Sequence, residues 1–181
     1  MKGTIIIGHV GLIQRSKKQW FTLDLIKALQ KKGYDAIGIF AGECRDPEYM
    51  EELTQKIRQH GLMEQAAFLG RRNDIPDLLK TIDMLIIPSA FEGFPLAGLE
   101  AAAAGVPVIA CDAAGAEEFI QVSKDGLIFK EDDVDSAVFA VEDVMRNRES
   151  FQNAGKAFAA DMTNQKYALR LNQLFSIIEK V

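Results

Sequence analysis

Cysteine and histidine are nearly missing from this chain, with two of each in 181 residues. Cys44 and Cys111 match neither a disulfide framework nor metal-ligand spacing. His9 and His60 lie far from any acidic or thiol cluster, so neither a structural zinc nor a metallohydrolase centre is expected. An excess of positive charge is also lacking. Twenty-one Lys and Arg stand against 26 Asp and Glu, a formal net charge of −5, which argues against a general trap for nucleic acid or for an anionic membrane surface. No window approaches the ~18 unbroken apolar residues that span a bilayer. The start, Met1–Val10, passes from one lysine to a strand-like run without a cleavage pattern, so the chain reads as soluble, unexported and cytoplasmic. Repeats and low-complexity segments are absent.

What is present is enough apolar sequence for one domain: 48% of residues are hydrophobic and 26% charged. Short apolar runs alternate with longer amphipathic ones, the pattern of successive βα units around a mostly parallel sheet with helices on both faces. Strands are expected at Thr4–Ile7, Ala36–Phe40, Ala66–Leu69, Met84–Ile87, Val106–Ala110 and Leu127–Phe129, giving a Rossmann-like α/β sheet of six strands. Helices are expected at Lys18–Lys31, which stops at Gly33, and at Pro47–His60, which stops at Gly61. A short helix capped by Asp74 should run through Thr81, with Pro76 in its first turn. Val134–Met145 and a last helix from about Gln165 to Lys180 close the chain. The polar stretch Met162–Gln165 forms a joint, so this last helix is free to pack away from the core.

In open parallel sheets ligands bind beyond the carboxyl ends of the strands, where loops lead into helix N-termini. The loop after the first strand, Gly8–Lys18, combines two glycines with Arg15, Lys17 and Lys18 at the start of a helix. That suits an anion such as a diphosphate, with a solvated basic turn as the alternative. It matches neither a dinucleotide glycine fingerprint nor a Walker loop. The loop Pro88–Glu100 follows the fourth strand, turns at Gly93 and enters a helix near Pro95 or Leu96. Every residue of this helix is small or apolar except Glu100. A helix apolar on all sides reads as buried, and a buried carboxylate needs donors or a cleft. Glu92 and Glu100 then face one cavity from different heights, towards which amides near Leu96 and Ala97 point. Carboxylates for hydroxyls and amides for phosphate describe a nucleotide-sugar. The competing reading is a Glu100 salt-bridged to a neighbouring strand.

The segment Glu92-Gly93-Phe94-Pro95 through Glu100, continuing Ala-Ala-Ala-Ala-Gly-Val-Pro-Val-Ile-Ala-Cys-Asp, resembles the E-x7-E signature of retaining GT-B glycosyltransferases. The likeness is to the bacterial group that builds capsular and exopolysaccharides. Upstream, Phe68–Leu78 resembles the stretch this group places before the same strand, and it contains Arg72 and Asn73. Downstream, Ala114–Ile120 resembles its Gly-Gly-x-Pro-Glu segment and Asp125–Phe129 its turn and next strand. The motifs occur in family order over about Ile5–Phe129.

The resemblance implies the C-terminal, donor-binding half of a GT-B fold. Such a half works with an N-terminal domain to move a sugar from a UDP- or GDP-linked donor to a growing glycan or lipid-linked acceptor, with retention of configuration. In the full-length protein this would take place in the cytoplasm or at the inner face of the membrane. Glu100 would accept from ribose hydroxyls and Glu92 from the donor sugar, while backbone amides after Gly93, in the segment Phe94–Ala97 apart from Pro95, would meet sugar and diphosphate oxygens. Lys17 matches the lysine that neutralises the leaving diphosphate, and Gly11, Arg15, Arg72 and Asn73 complete the expected binding set. No metal or cofactor is implied. Three departures stand out. Leu12 occupies the place of a usual arginine, which leaves Arg15 as the substitute cation. The glycine pair is reduced to Ala114-Gly115, and the proline that follows the pair is Glu117. The last helix would cross to the absent domain or pair two copies of the chain. A non-catalytic nucleotide-binding regulatory half and a nucleotide-sugar epimerase are the rival functions, and the paired Glu92 and Glu100 argue for transfer over epimerisation.

Other singular residues have ordinary readings. Trp20 and Phe21 are expected to pack, and His9 to be a satisfied structural residue. The run Glu131-Asp132-Asp133 reads as a solvated turn with an N-cap. Cys111 is placed beside the cleft without a nucleophile's surroundings.

Overall fold

The computed structural model describes residues 3–89, 91, 93–113, 115–162 and 166. Among these, six parallel strands form one sheet: β1 (Ile5–Val10), β2 (Ala36–Ala41), β3 (Ala66–Phe68), β4 (Met84–Ile87), β5 (Val108–Cys111) and β6 (Gly126–Phe129). Their spatial order is β3-β2-β1-β4-β5-β6. The chain winds outward from β1 through β2 to β3, returns to β1's other side as β4, and continues to β6. In the central register Ile7 lies beside Met84 and Gly8 beside Leu85. The order of winding therefore reverses between β1 and β4, which opens a crevice beyond their carboxyl ends. β4 and β5 are buried at every position, as continuous apolar runs in a doubly covered parallel sheet should be.

Alternation along the strands feeds two apolar layers. One face packs against α1 (Gln19–Lys31), α2 (Pro47–His60) and α6 (Val134–Arg146), with Phe21, Leu25, Leu29, Leu53 and Val141 in its core. The other packs against α3 (Ile75–Leu79), α4 (Leu96–Ala104), α5 (Ala116–Ser123) and α7 (Arg148–Asp161). Gly33 and Gly61 follow α1 and α2 with φ of +83° and +68°, the left-handed stop the sequence leads one to expect. Trp20 and Phe21 pack as expected.

Some boundaries differ from expectation. β1 runs on to Val10, and β5 begins at Val108. Asp74 occupies the N-cap position of α3 but makes no capping bond, because its carboxylate is held by both Nε and Nη2 of Arg72. Asp46 and Asp133 do cap, accepting from the N–H of Tyr49 and of Ser136, each at 2.9 Å. Helices α5 and α7 are not foreshadowed. α7 docks through Phe158, edge-on to Phe119, and through Gly155, where a Cβ would stand 2.8 Å from the Asp125 Cβ and 3.3 Å from the Ala102 Cα. The expected last helix, Gln165–Lys180, lies outside the described residues except for Lys166. None of the helices among the described residues is long and apolar enough to cross a membrane.

Two buried titratable groups pull stability in opposite directions as pH changes. Burial, helped by the charge of Lys17, pushes His9 down to about 3 from 6.5. His9 is thus neutral when folded and gains a proton on unfolding, so its stabilisation is complete above about pH 6.5 and is lost as pH falls. Asp125 accepts from the Ser123 hydroxyl at 2.6 Å, while its buried Oδ2 has no hydrogen-bond partner among the described residues. Burial raises this carboxyl to about 6 from 3.8, so its contribution is best below about pH 4 and declines as pH rises towards 6. Each group contributes a slope of about 1.4 kcal/mol per pH unit inside its window, with opposite signs. Asp125→Asn is expected to raise stability by about 3 kcal/mol at pH 7, with the gain vanishing near pH 4. Urea midpoints across this range test it, and a gain independent of pH would contradict the assignment.

Candidate functional site

The loop leaving β1 is laid down beside the loop leaving β2. The N–H of Gly11 donates to Ala41 O and that of Ile13 to Glu43 O, both at 2.9 Å, and Arg45 N–H returns to Ile13 O at 3.2 Å. The two backbones touch at glycines. Gly11 has φ +154°, and a Cβ on Gly42 would lie 1.8 Å from the Gly11 carbonyl oxygen. The chain then makes a 3-10 turn, Arg15–Lys17, and enters α1 through Lys18. Lys18 is left-handed, at φ 49° and ψ 45°, a conformation that costs a non-glycine residue roughly 1 kcal/mol. Its ammonium donates to Glu131 Oε1 at 2.6 Å and Asp132 Oδ1 at 2.7 Å, so this acidic turn is engaged with the β1 loop as well as solvated.

From the other side of the crevice, β4 leads through the buried Ser89 to α4. Pro95 occupies the N-cap position of α4 with no side-chain cap, so among the described residues the first-turn amides of Leu96–Gly98 are available to an anion. Cys111, at the end of β5, donates its thiol to the Ser89 carbonyl at 2.9 Å. Burial pushes that thiol up to about 11, and it is no nucleophile. His9 Nδ1 lies 2.9 Å from the Thr22 hydroxyl, and Gln19 Nε2 donates to the Leu12 carbonyl at 2.9 Å. His9 thus has the structural role expected of it while forming part of the cleft wall.

These elements enclose a cavity of about 240 Å³ lined by residues including His9, Gly11, Lys17, Ser89, Phe94 and Leu96. Pro95 and Ala97 also line it, so the structure gathers Gly11, Lys17 and Phe94–Ala97 from the expected set. A second recess of about 310 Å³ adjoins it across Val10 and Gly11, with Leu12, Gly42, Arg71 and Arg72 in its walls.

Other expected site residues are placed differently. Arg15 points away: its guanidinium forms two bonds with Glu52, at 2.7 and 2.8 Å, and lies over the Tyr49 ring, so it does not replace the missing cation at Leu12. Glu100 is exposed, which corrects the expectation of a buried α4. Gly98, Ala101 and Ala102 face the core, whereas Leu96, Glu100 and Ala103 form an open stripe at i, i+4, i+7. Gly93 and Asn73 are exposed and line neither recess. Glu92 lies outside the described residues. Gly42, Ser89 and the Lys18 ion pairs went unnoticed in the sequence. For Gly42 the signal was a glycine directly after a strand.

Taken together, a parallel sheet whose winding reverses at β1 and β4, and a cleft there flanked by a glycine-bearing loop and an uncapped helix, define a Rossmann-like half of a GT-B glycosyltransferase fold. The same fold occurs in the crystal structure of Anabaena Alr3699/HepE in complex with UDP and glucose, with a TM-score of 0.84 and 24% identity over 94% of this chain and 48% of that one. The chain belongs to the glycosyl transferases group 1 family, whose model matches residues 1–160. It is 30% identical over 167 residues to the lipopolysaccharide core biosynthesis mannosyltransferase LpsB of Rhizobium meliloti, covering 90% of this chain and 47% of that protein. It also resembles the C-terminal domain of a glycosyl transferase group 1 family protein (LpcC) from Francisella tularensis, at 28% identity and a TM-score of 0.76 over 87% of this chain and 85% of that one. The chain thus spans about half the length of LpsB and Alr3699/HepE.

Proposed function

We propose that this chain is the C-terminal, donor-binding half of a retaining hexosyltransferase that acts in surface polysaccharide synthesis. The observation that carries this reading is the meeting of Lys17 with the uncapped N-terminus of α4 in one cleft. Lys17 and the Leu96 and Ala97 amides receive the diphosphate, stabilising charge as it develops on the leaving group. Glu92 accepts from the donor sugar and Glu100 from the ribose, and the adjoining recess with Arg72 is suited to the rest of the nucleoside. UDP is the first donor nucleotide to test, given the likeness to Alr3699/HepE in its UDP complex, with GDP second. The likeness to LpsB favours a glycan or lipid-linked acceptor, brought by an N-terminal domain at the inner face of the membrane. Half of a cleft neither excludes water nor positions an acceptor, both of which transfer requires. The isolated 181 residues should therefore form no product with any nucleotide-sugar and lipid-linked acceptor, while the two-domain protein should. Turnover by the isolated chain would contradict the division of labour.

Glu100→Gln should weaken nucleotide binding by about 1.5–3 kcal/mol, the loss of hydrogen bonds to a charged acceptor. Its exposed position means the melting temperature should not move. Calorimetric titration paired with thermal denaturation separates the two effects, and normal binding would remove Glu100 from the site.

A second reading, a nucleotide-binding regulatory half, is favoured by one observation: Lys17 is the only cation among the described residues lining the cavity beside the α4 N-terminus, since Leu12 replaces arginine and Arg15 turns outward. Nucleotide binding without transfer by the two-domain protein, with transfer gained on Leu12→Arg, would select it.

A further inference from the structure

Lys18 joins three loops at the carboxyl rim of the sheet. Its N–H donates to Arg15 O at 3.1 Å, closing the 3-10 turn, and its carbonyl accepts from Phe21 N–H at 2.9 Å, opening α1. Its side chain is only 12% exposed and ends on Glu131 and Asp132, in the turn between β6 and α6. That turn is held in place as well: Glu131 N–H donates to Asp112 Oδ1 at 2.6 Å, just after β5, and Asp132 is itself left-handed, with φ 54°. Exposed lysine ion pairs contribute little because two mobile side chains must be ordered against water. Here the ammonium is largely covered and meets two carboxylates on an ordered turn. Both acids draw the Lys18 proton affinity upward, against the burial that opposes it.

The 3-10 turn that carries Lys17 begins at Gln14 without a side-chain cap. Its first residue, Arg15, is held by Glu52 and Asp46, and its other end, next to Lys17, is held by Lys18. We infer that Lys18 is a positioning residue: clamped by Glu131 and Asp132, it fixes the turn that aims Lys17 into the cleft and is itself neutralised, so it is not a second diphosphate cation. Recognition of the outer phosphate thus depends on two acids on a different loop. Releasing the clamp leaves the turn to be ordered by the ligand, which weakens the phosphate contact. The inference rests on the reading of this cleft as a nucleotide diphosphate site.

The experiment measures Kd by calorimetry for UDP and UMP, and for GDP and GMP, on the 181-residue chain. Wild type should prefer diphosphate to monophosphate, and Lys17→Ala should erase the preference. Lys18→Gly keeps the left-handed backbone and removes the ammonium. It and the Glu131→Gln/Asp132→Asn pair should each reduce the preference about fivefold, the scale of coupling through a neighbouring group, with monophosphate affinity unchanged. Lys18→Arg should retain the preference. If Lys18→Gly fails to fold, the acid pair alone decides the matter. A preserved preference with only a lowered melting temperature would make Lys18 purely structural and overturn the inference while leaving the donor site intact. No preference in wild type for either diphosphate would overturn both.

Discussion

Alanine at Gly42 is expected to destabilise the fold by about 3 kcal/mol, within the range for forced contacts in a packed interior, and to weaken nucleotide diphosphate binding at least tenfold. The added methyl would stand 1.8 Å from the Gly11 oxygen and 2.6 Å from its carbonyl carbon. Both obstacles are backbone, so no side-chain rotation relieves them. The β1 loop must move outward, and with it the bonds from Gly11 to Ala41 and from Ile13 to Glu43, carrying Lys17 away from α4. Gly61→Ala is the matched control. Unlike Gly42 it sits at positive φ, but the added methyl meets open space, so it should cost about 1 kcal/mol through backbone strain alone and leave binding untouched. Urea denaturation and calorimetry read both quantities, and wild-type binding by Gly42→Ala would show that the loop contact does not shape the site.

Removing the Lys17 charge should have the largest effect on turnover. In a two-domain transferase carrying this chain, Lys17→Met keeps the apolar stem and loses the ammonium, and kcat is expected to fall roughly 10²–10³-fold, as when one preorganised group facing developing charge is lost. Affinity for a nucleoside monophosphate should change little if, as proposed, the charge acts on the outer phosphate. His9 provides an internal check. Lys17 adds to the burial that depresses its proton affinity, so the variant should raise the His9 pKa, as NMR titration would reveal. Unchanged kcat would remove Lys17 from the chemistry.

The sheet was legible in the sequence because β4 and β5 are doubly covered, which demands the unbroken apolar runs Met84–Ile87 and Val108–Cys111. The gathering of Lys17 with Phe94–Ala97 was legible for a topological reason: both segments follow strands, and the reversal of winding puts those strand ends side by side. Glu100 departs from expectation because a pattern of small and apolar residues does not distinguish a face turned to the core from one turned to solvent. The direction of Arg15 depends on Glu52, which lies 37 residues away in sequence, a pairing that only the fold reveals. Arg72 likewise took the carboxylate of Asp74 that was expected to cap α3. Helix α7 is hard to read because only Phe151 and Phe158 mark its apolar face, on either side of Gly155, which docks by close backbone approach.

On the proposed function, the cleft between β1 and α4 binds the diphosphate of a nucleotide-sugar. Amide chemical-shift mapping of the 181-residue chain with UDP, repeated with GDP and in the presence of a chelator, tests it most directly. The account predicts saturable shifts at Gly11, Lys17 and Phe94–Ala97, with prolines silent, that persist under chelation and shrink in Lys17→Ala. Shifts confined to the opposite end of the sheet, around the cavity of about 390 Å³ lined by Tyr34, Glu142 and Arg146, or no shifts with either nucleotide, would contradict it.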